Sequence, residues 1–338
     1  MNGILVLLFL LIFSPAHAQE PADPAKKKAK ELYPNFFTIV FENDSIGSGT
    51  DQNYTNGVRL TYFDVNADFP DIADTIAQKI PTFDINQSSS AYYSFGQNLY
   101  TPDDIGAIEQ DKSDRPWAAF LYGSIGMATQ TGDHIDELEA TIGIVGPLAL
   151  GEQVQTVVHK HVTSSPLPNG WDNQLENEPG LILSWQRRWP KPFHFDSTKL
   201  TLTFAPHFGI TLGNVYTYSN TGFAFRLSSE KSKNSDTPLR VRPALPGTGY
   251  YEAPGGWGWT IFGGIEGRAV ARNIFLDGST FVSSHSVSKF PIVGDANLGF
   301  AFKFWRVRMS YTLVLRSKEF KIQDRSDLFG AATLAYRF

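Results

Sequence analysis

The stretch Arg306 to Arg316 restricts the fold more than any other. Val307, Met309, Tyr311, Leu313 and Leu315 fall on one face of a period-two pattern, while Arg306, Arg308, Ser310, Thr312 and Arg316 share the other with Val314. Alternation of this kind is a strand with one apolar and one polar face. A cationic side chain facing lipid at mid-membrane costs roughly 2–4 kcal/mol, so if the apolar face meets lipid the arginine face must look into a lumen. Lys199 to Leu212 repeats the pattern, with Leu200, Leu202, Phe204, Phe208 and Ile210 opposite Thr201, Thr203, His207 and Thr211. Such strands build either a sandwich or a lipid-facing barrel.

The last segment favours the barrel. Leu328 to Phe338 alternates to the final residue and ends on an aromatic ring with Tyr336 two before it, which resembles the terminal strand of bacterial outer-membrane barrels. Strand-like runs lie near 35–42, 56–65, 91–99, 117–127, 135–144 and 180–189, then near 199–212, 221–227, 257–272, 292–304, 306–316 and 329–338. The expected fold is an all-β, transmembrane, antiparallel up-and-down barrel of about twelve strands, an even number as bacterial barrels require. Both chain ends then lie on one rim, read as periplasmic. The connections 43–55, 100–116 and 145–179 all emerge on the other, read as extracellular, while Trp305 makes a tight turn on the first.

The two ends of the chain suit export to such a location. Met1 to Ala18 has an apolar run from Ile4 to Phe13 followed by small residues at 16 and 18, the pattern of a signal peptide. Beyond it no apolar run approaches the ~18 residues of a spanning helix. Residues 19–34 are rich in Pro, Ala and Lys and read as a flexible tether, leaving 35–338 as the barrel. The absence of cysteine excludes a disulfide scaffold and any thiolate site. A net charge of −5 gives no basic footprint for nucleic acid.

Two loops concentrate chemistry. Glu42 to Gly57 packs carboxylates, carboxamides and hydroxyls among glycines, an oxygen-rich set suited to a hard cation. The connection 145–179 is too long for a plain turn. Within it Gly151 to Lys160 has no breaker and predicts a short helix, with Glu152, Gln155 and His159 on one face and Val154, Val157 and Val158 as apolar cover. His159 and His161 stand two apart, so on a helix they point in different directions and make a poor metal pair. No Gly-x-Ser-x-Gly elbow, His-Glu-x-x-His or phosphate-binding glycine loop is present.

Glu42-Asn43-Asp44, Asp51-Gln52-Asn53-Tyr54-Thr55-Asn56-Gly57, Gly146-Pro147 with Gly151-Glu152-Gln153-Val154-Gln155 and His159-Lys160, and Gly170-Trp171-Asp172-Asn173-Gln174-Leu175 with Asn177-Glu178-Pro179 follow one another along the chain. In order and spacing they resemble the lipid A deacylase family (LpxR-like) over essentially the whole mature chain. The resemblance implies a twelve-stranded outer-membrane barrel of a Gram-negative bacterium. It implies that the barrel removes the 3′-linked acyloxyacyl group of lipid A, within lipopolysaccharide, by calcium-dependent ester hydrolysis. The matching positions are Asn43, Asp44, Thr55, Gln155 and His159. His159 is expected as the base that activates water, oriented by Gln155. Asp44 and Asn43 are expected as the metal-holding catalytic residues, and Thr55 as a substrate contact. Some family members carry an acid six residues after the histidine, where Ser165 stands here. Some also carry a basic pair after the Tyr-[Ser/Thr]-Pro of the second outer loop. Here Tyr100-Thr101-Pro102 is followed by Asp103 and Asp104, with Lys112 and Arg115 later, and Arg115 is the expected substrate-binding cation. A phospholipase acting on glycerophospholipid and a non-catalytic barrel or pore are the alternatives.

Overall fold

The computed structural model describes residues 35–47, 53–77, 83–163, 166–191, 193–232, 234–253 and 255–338. The expected signal peptide 1–18, the tether 19–34, the tip of the first loop at 48–52 and Ser165 lie outside the described residues.

The described residues form thirteen strands: β1 (Asn35–Asn43), β2 (Asn53–Asp64), β3 (Ser90–Thr101), β4 (Ala118–Thr131), β5 (His134–Val145), β6 (Glu178–Arg188), β7 (Phe193–Asp196), β8 (Leu200–Gly213), β9 (Tyr216–Ser229), β10 (Trp257–Asn273), β11 (Ile292–Phe304), β12 (Val307–Arg316) and β13 (Asp327–Arg337). All pairings are antiparallel; β13 returns to β1 and β6 pairs with β8, so twelve strands close a barrel. The short β7 continues the line of β6 along the same edge of β8, its residues 193–196 pairing with 201–204 beyond the stretch 207–213 that β6 occupies. Each expected strand is present, displaced by a few residues at its ends.

The period-two pattern sorts as anticipated. On β12, Met309 and Leu315 are exposed while Arg308 and Arg316 are buried in the lumen. Arg306 is the exception: it belongs to the two-residue turn after β11, beyond the strand's alternation, and its guanidinium stacks on the rings of Trp305 and Tyr336 at 5.8 and 5.2 Å. Charges inside the lumen must be paired to offset their desolvation. Arg59 meets Glu139 at 2.7 Å, and Asp295 receives both Arg268 and Arg316 at 2.8 and 2.9 Å.

A twelve-stranded ring is too wide for wall side chains to fill, whereas eight strands suffice. The connection 230–256 between β9 and β10 fills it. It leaves the rim that carries Asn35 and Phe338 and threads the lumen. Arg188 forks onto Asp236 at 2.7 and 2.6 Å, Arg242 reaches Glu137 at 3.0 Å, and Arg240 reaches Glu42 at 2.8 Å. Glu42 is one residue from the end of β1, so the segment traverses to the opposite rim. There Tyr54, Tyr100, Phe120, Tyr216, Phe275 and Phe329 form a buried aromatic cluster with Leu239 and Val241. The segment therefore plugs the lumen, leaving beside it a cavity of about 540 Å³ lined by Phe63, Arg188, Arg226, Asp236 and Tyr250.

Candidate active site

The oxygen-rich loop begins where β1 ends. Asn43 has the outward parity of Phe37 and Ile39, which are exposed on the wall. Its Oδ1 accepts from the Ser45 backbone N–H at 2.8 Å and from the Ser45 hydroxyl, while its Nδ2 donates to the Thr55 carbonyl at 2.7 Å. An Asn that accepts from the amide two residues on closes a side-chain turn, and here the amide group also ties that turn to β2. The turn continues with the Gly47 N–H on the Asp44 carbonyl at 3.0 Å and is docked on the neighbouring strands by the Tyr311 hydroxyl, which donates to the Ile46 carbonyl at 2.6 Å. A Cβ at Gly47 would lie 2.5 Å from the Phe329 backbone, so only glycine permits this approach. Asp44 is thus held at 4% exposure.

Thr55 owes its position to a break in register. Tyr54 pairs with Tyr100 and Asn56 with Leu99, leaving Thr55 as the extra residue. Such bulges re-aim side chains. Tyr54 stays in the aromatic cluster, and the Thr55 hydroxyl meets that of Thr101 at 2.7 Å.

The second half is laid on the outside of the wall. β3 exposes Tyr93 and Phe95 outward, and Gln97, Leu99 and Thr101 share their parity. The loop after β5 folds back over this face through a 3₁₀ turn (Pro147–Ala149), a left-handed Leu150 at φ 60°, a helix (Gly151–Val158) and a π-helical turn (His159–Thr163). Gln97 Nε2 latches it by donating to the Ala149 carbonyl at 2.6 Å. The helix starts flush on β4: a Cβ at Gly151 would lie 2.6 Å from Ala119 Cβ and 2.5 Å from Trp171 Cη2. Trp171 packs on Trp117 with ring centroids 5.1 Å apart, and its indole N–H donates to Gln155 Oε1 at 2.8 Å.

The helix turns its sides opposite to part of the expectation. Gln155 and His159 are buried against the wall, whereas Val157 is 57% exposed and Glu152 is exposed. Only Val154 of the expected apolar cover packs into the Leu99, Trp117, Ala119 and Trp171 cluster. The physical reason is that the apolar cluster lies under the start of the helix, at Gly151 and Val154, while Gln155 is drawn inward by the Trp171 indole N–H and His159 by the Pro166 carbonyl. Gln155 Nε2 is buried with no hydrogen-bond partner among the described residues. His159 Nδ1 lies 2.6 Å from the Pro166 carbonyl. A carbonyl can only accept, so Nδ1 carries a proton and the tautomer this contact selects has its lone pair on Nε2. His159 thus meets a backbone carbonyl, while Gln155, expected to orient it, is held by the Trp171 indole.

The two halves are joined through β3. Thr101 touches the half built by Asn43 and Thr55, and Gln97 holds the half that carries Gln155 and His159; four residues separate them, about 13 Å along an extended strand. Sequence alone did not single out Gln97 or Thr101. Their signal was a Gln and a Thr at outward positions of a wall strand, where polar groups need a partner.

Arg115 stands apart. It is fully buried, 3.6 Å from the Glu319 carboxylate and 4.9 Å over the Tyr100 ring, so it braces the second loop against the loop after β12. The surface above it is acidic: Asp103, Asp104, Glu109, Asp111, Asp114 and Asp324 line one cleft of about 190 Å³. Partial burial, with Asp114 and Asp324 alongside, raises the pKa of Asp103. Among the described residues no cluster of three or more His, Cys, Asp or Glu side chains could hold a metal ion.

Comparison with known proteins agrees with this architecture. LpxR from Salmonella typhimurium superposes with a TM-score of 0.72 at 21% identity, covering 90% of this chain and all of that one. The β domain of the Bordetella autotransporter BrkA matches over 90% of this chain and 99% of its own, with 8% identity and a TM-score of 0.41. No curated protein matches. The profile of the family described as outer membrane protein LpxR matches residues 5–338, and the chain belongs to that family.

Proposed function

We propose that this protein is an outer-membrane lipid A deacylase that hydrolyses the ester of the 3′-linked acyloxyacyl group. The observation that carries the reading is the placement of His159. It is held on the outward face of the barrel wall, beneath a helix whose Leu148, Leu150 and Val157 neighbours are exposed, and not in the lumen. A base in that position serves a substrate that arrives laterally through a membrane. The rim bearing Asn43 and His159 then faces the cell exterior, where the leaflet is lipopolysaccharide.

The chain's own groups divide the work. His159 Nε2 takes a proton from the attacking water, a contribution of typically 10²–10⁴-fold for a positioned general base, and the Pro166 carbonyl keeps the ring in the competent tautomer. The same proton returns to the departing sugar oxygen as the tetrahedral adduct collapses, releasing the acyloxyacyl acid. Gln155 Nε2, which has no hydrogen-bond partner among the described residues, donates toward a substrate oxygen. Thr55 presents its hydroxyl from the bulge on the side of Asn43. The donor set at the first turn is all oxygen, which fits a hard cation such as calcium better than zinc. Asp44 would hold the ion as its anionic ligand, with Asn43 fixing the turn. Bound there, calcium would supply Lewis-acid stabilisation of the developing oxyanion.

The test is mass spectrometry of lipid A from cells expressing the protein or its His159→Ala variant. A mass loss equal to one acyloxyacyl unit, absent with the variant and abolished by calcium chelation, is the expected result. An unchanged acyl pattern with folded barrel in the membrane would refute the reading. Faster turnover of phospholipid vesicles than of lipid A would favour a phospholipase. The plugged lumen argues against a passive pore.

A further inference from the structure

We infer that Arg240, on the segment inside the lumen, is a positioning residue for the site on the outer face of the wall. The inference rests on the proposed ester hydrolysis only for its kinetic readout.

Glu42 and Asn43 are consecutive on β1 and point to opposite sides of the wall, Glu42 inward at 1% exposure and Asn43 outward. One Glu42 oxygen receives two donors from the same segment: Arg240 Nε at 2.8 Å and the Val241 backbone N–H at 3.0 Å. Val241 packs into the aromatic cluster beside Phe329, whose ring Arg240 also covers at 5.4 Å. Phe329 is in turn the residue whose backbone the Gly47 turn abuts. The carboxylate, the ring and the turn thus form one contiguous packed unit through the wall. Among the described residues neither Arg240 Nη atom has a hydrogen-bond partner, so its directed contact is with Glu42.

The consequence is mechanical. The last two residues of β1 carry Asn43 and lead into Asp44, and a strand end otherwise frays. Anchoring Glu42 from inside fixes the peptide plane between 42 and 43, and with it the direction in which Asn43 closes its turn. A segment that enters from the rim of the chain ends therefore sets geometry at the opposite rim.

The test uses the full barrel in detergent. Arg240→Ala leaves a buried carboxylate without its cation, so Arg240→Lys and the charge-free pair Glu42→Gln with Arg240→Gln accompany it, and heat-modifiable migration on gels verifies folding of each. Deuterium exchange is measured at 41–47 and, as reference, at β10 and β11. Faster exchange at 41–47 alone in Arg240→Ala, at least tenfold, with reversal toward wild type in Arg240→Lys, is expected. In lipid A hydrolysis the same variant should lose at least tenfold in kcat with KM within twofold. Unaltered exchange at 41–47, or loss of protection spread equally over β10 and β11, overturns the inference. If the wild-type barrel fails to hydrolyse lipid A, the exchange measurement still decides the positioning role, and only the deacylase reading falls.

Discussion

Gly151→Ala adds one methyl group at the place where the base-bearing helix sits closest to the wall. The new Cβ would lie 2.5 Å from Trp171 Cη2 and 2.6 Å from Ala119 Cβ. Non-bonded carbons rest at about 3.5–4.0 Å, so the helix start must rise by about 1 Å. Neither neighbour yields easily: Ala119 belongs to β4, and Trp171 is buried between Trp117 and Gln155. His159 lies two turns on in the same rigid piece, and a displacement of 1 Å at a catalytic group costs on the order of 10²-fold in rate. Stability should move little, because alanine gains up to about 1 kcal/mol over glycine in a helix. Initial rates of lipid A deacylation, read by mass spectrometry, should fall about 10²-fold in kcat with unchanged heat-modifiable migration. Adding Ala119→Gly removes one of the two clashes and should restore part of the loss, while Glu152→Ala, on the exposed side, should match wild type. A Gly151→Ala rate within threefold of wild type would refute the idea that this contact sets the position of the base.

Other consequences are as direct. The plugged lumen predicts no steady conductance in planar bilayers, and deleting 236–248, which carries Asp236 and Arg240, should open a channel; a conducting wild-type barrel would contradict the plug. Trp171→Phe keeps a ring on Trp117 but removes the donor to Gln155, so about 1 kcal/mol of net hydrogen bonding is lost and kcat should drop with little change in melting. Arg59→Met removes the cation that meets the buried Glu139 at 2.7 Å, and breaking a buried pair costs up to about 3–5 kcal/mol, read as a fall in heat-modification temperature; an unchanged transition would mean that the remaining partners of Glu139 suffice. Asp103 has a folded pKa raised above its free value by burial and its acidic neighbours. Protonation therefore tightens the loop, which should gain deuterium protection as pH falls toward the ordinary carboxylate range and lose it as pH rises through the raised value. Asp103→Asn should abolish that dependence.

How much of this was legible in the chain follows from the range of the forces involved. Alternation is local, so the twelve wall strands, the Trp305 turn and the inward Arg308 and Arg316 could be read from consecutive residues. Parity then followed by counting, and it gathered 43–55 and 145–179 on one rim before any contact was known. The family motifs nominated Asn43, Asp44, Thr55, Gln155 and His159 as single positions. Non-local packing decided the rest. A connection of prolines, arginines and a few apolar residues at 230–256 carries no periodicity, and only the volume of a twelve-stranded ring explains why it enters the lumen. Whether Arg115 meets substrate or Glu319 depends on a loop more than two hundred residues away. The burial of Gln155 and His159 in place of Val157 depends on partners that distant segments bring, the Trp171 indole for the one and the Pro166 carbonyl for the other. Sequence thus determined the barrel and nominated the candidate site residues, because both are written in side-chain chemistry along short spans. Tertiary structure alone decided which face of the wall those groups occupy and what holds them there, because that is settled by the space left when distant segments close on one another.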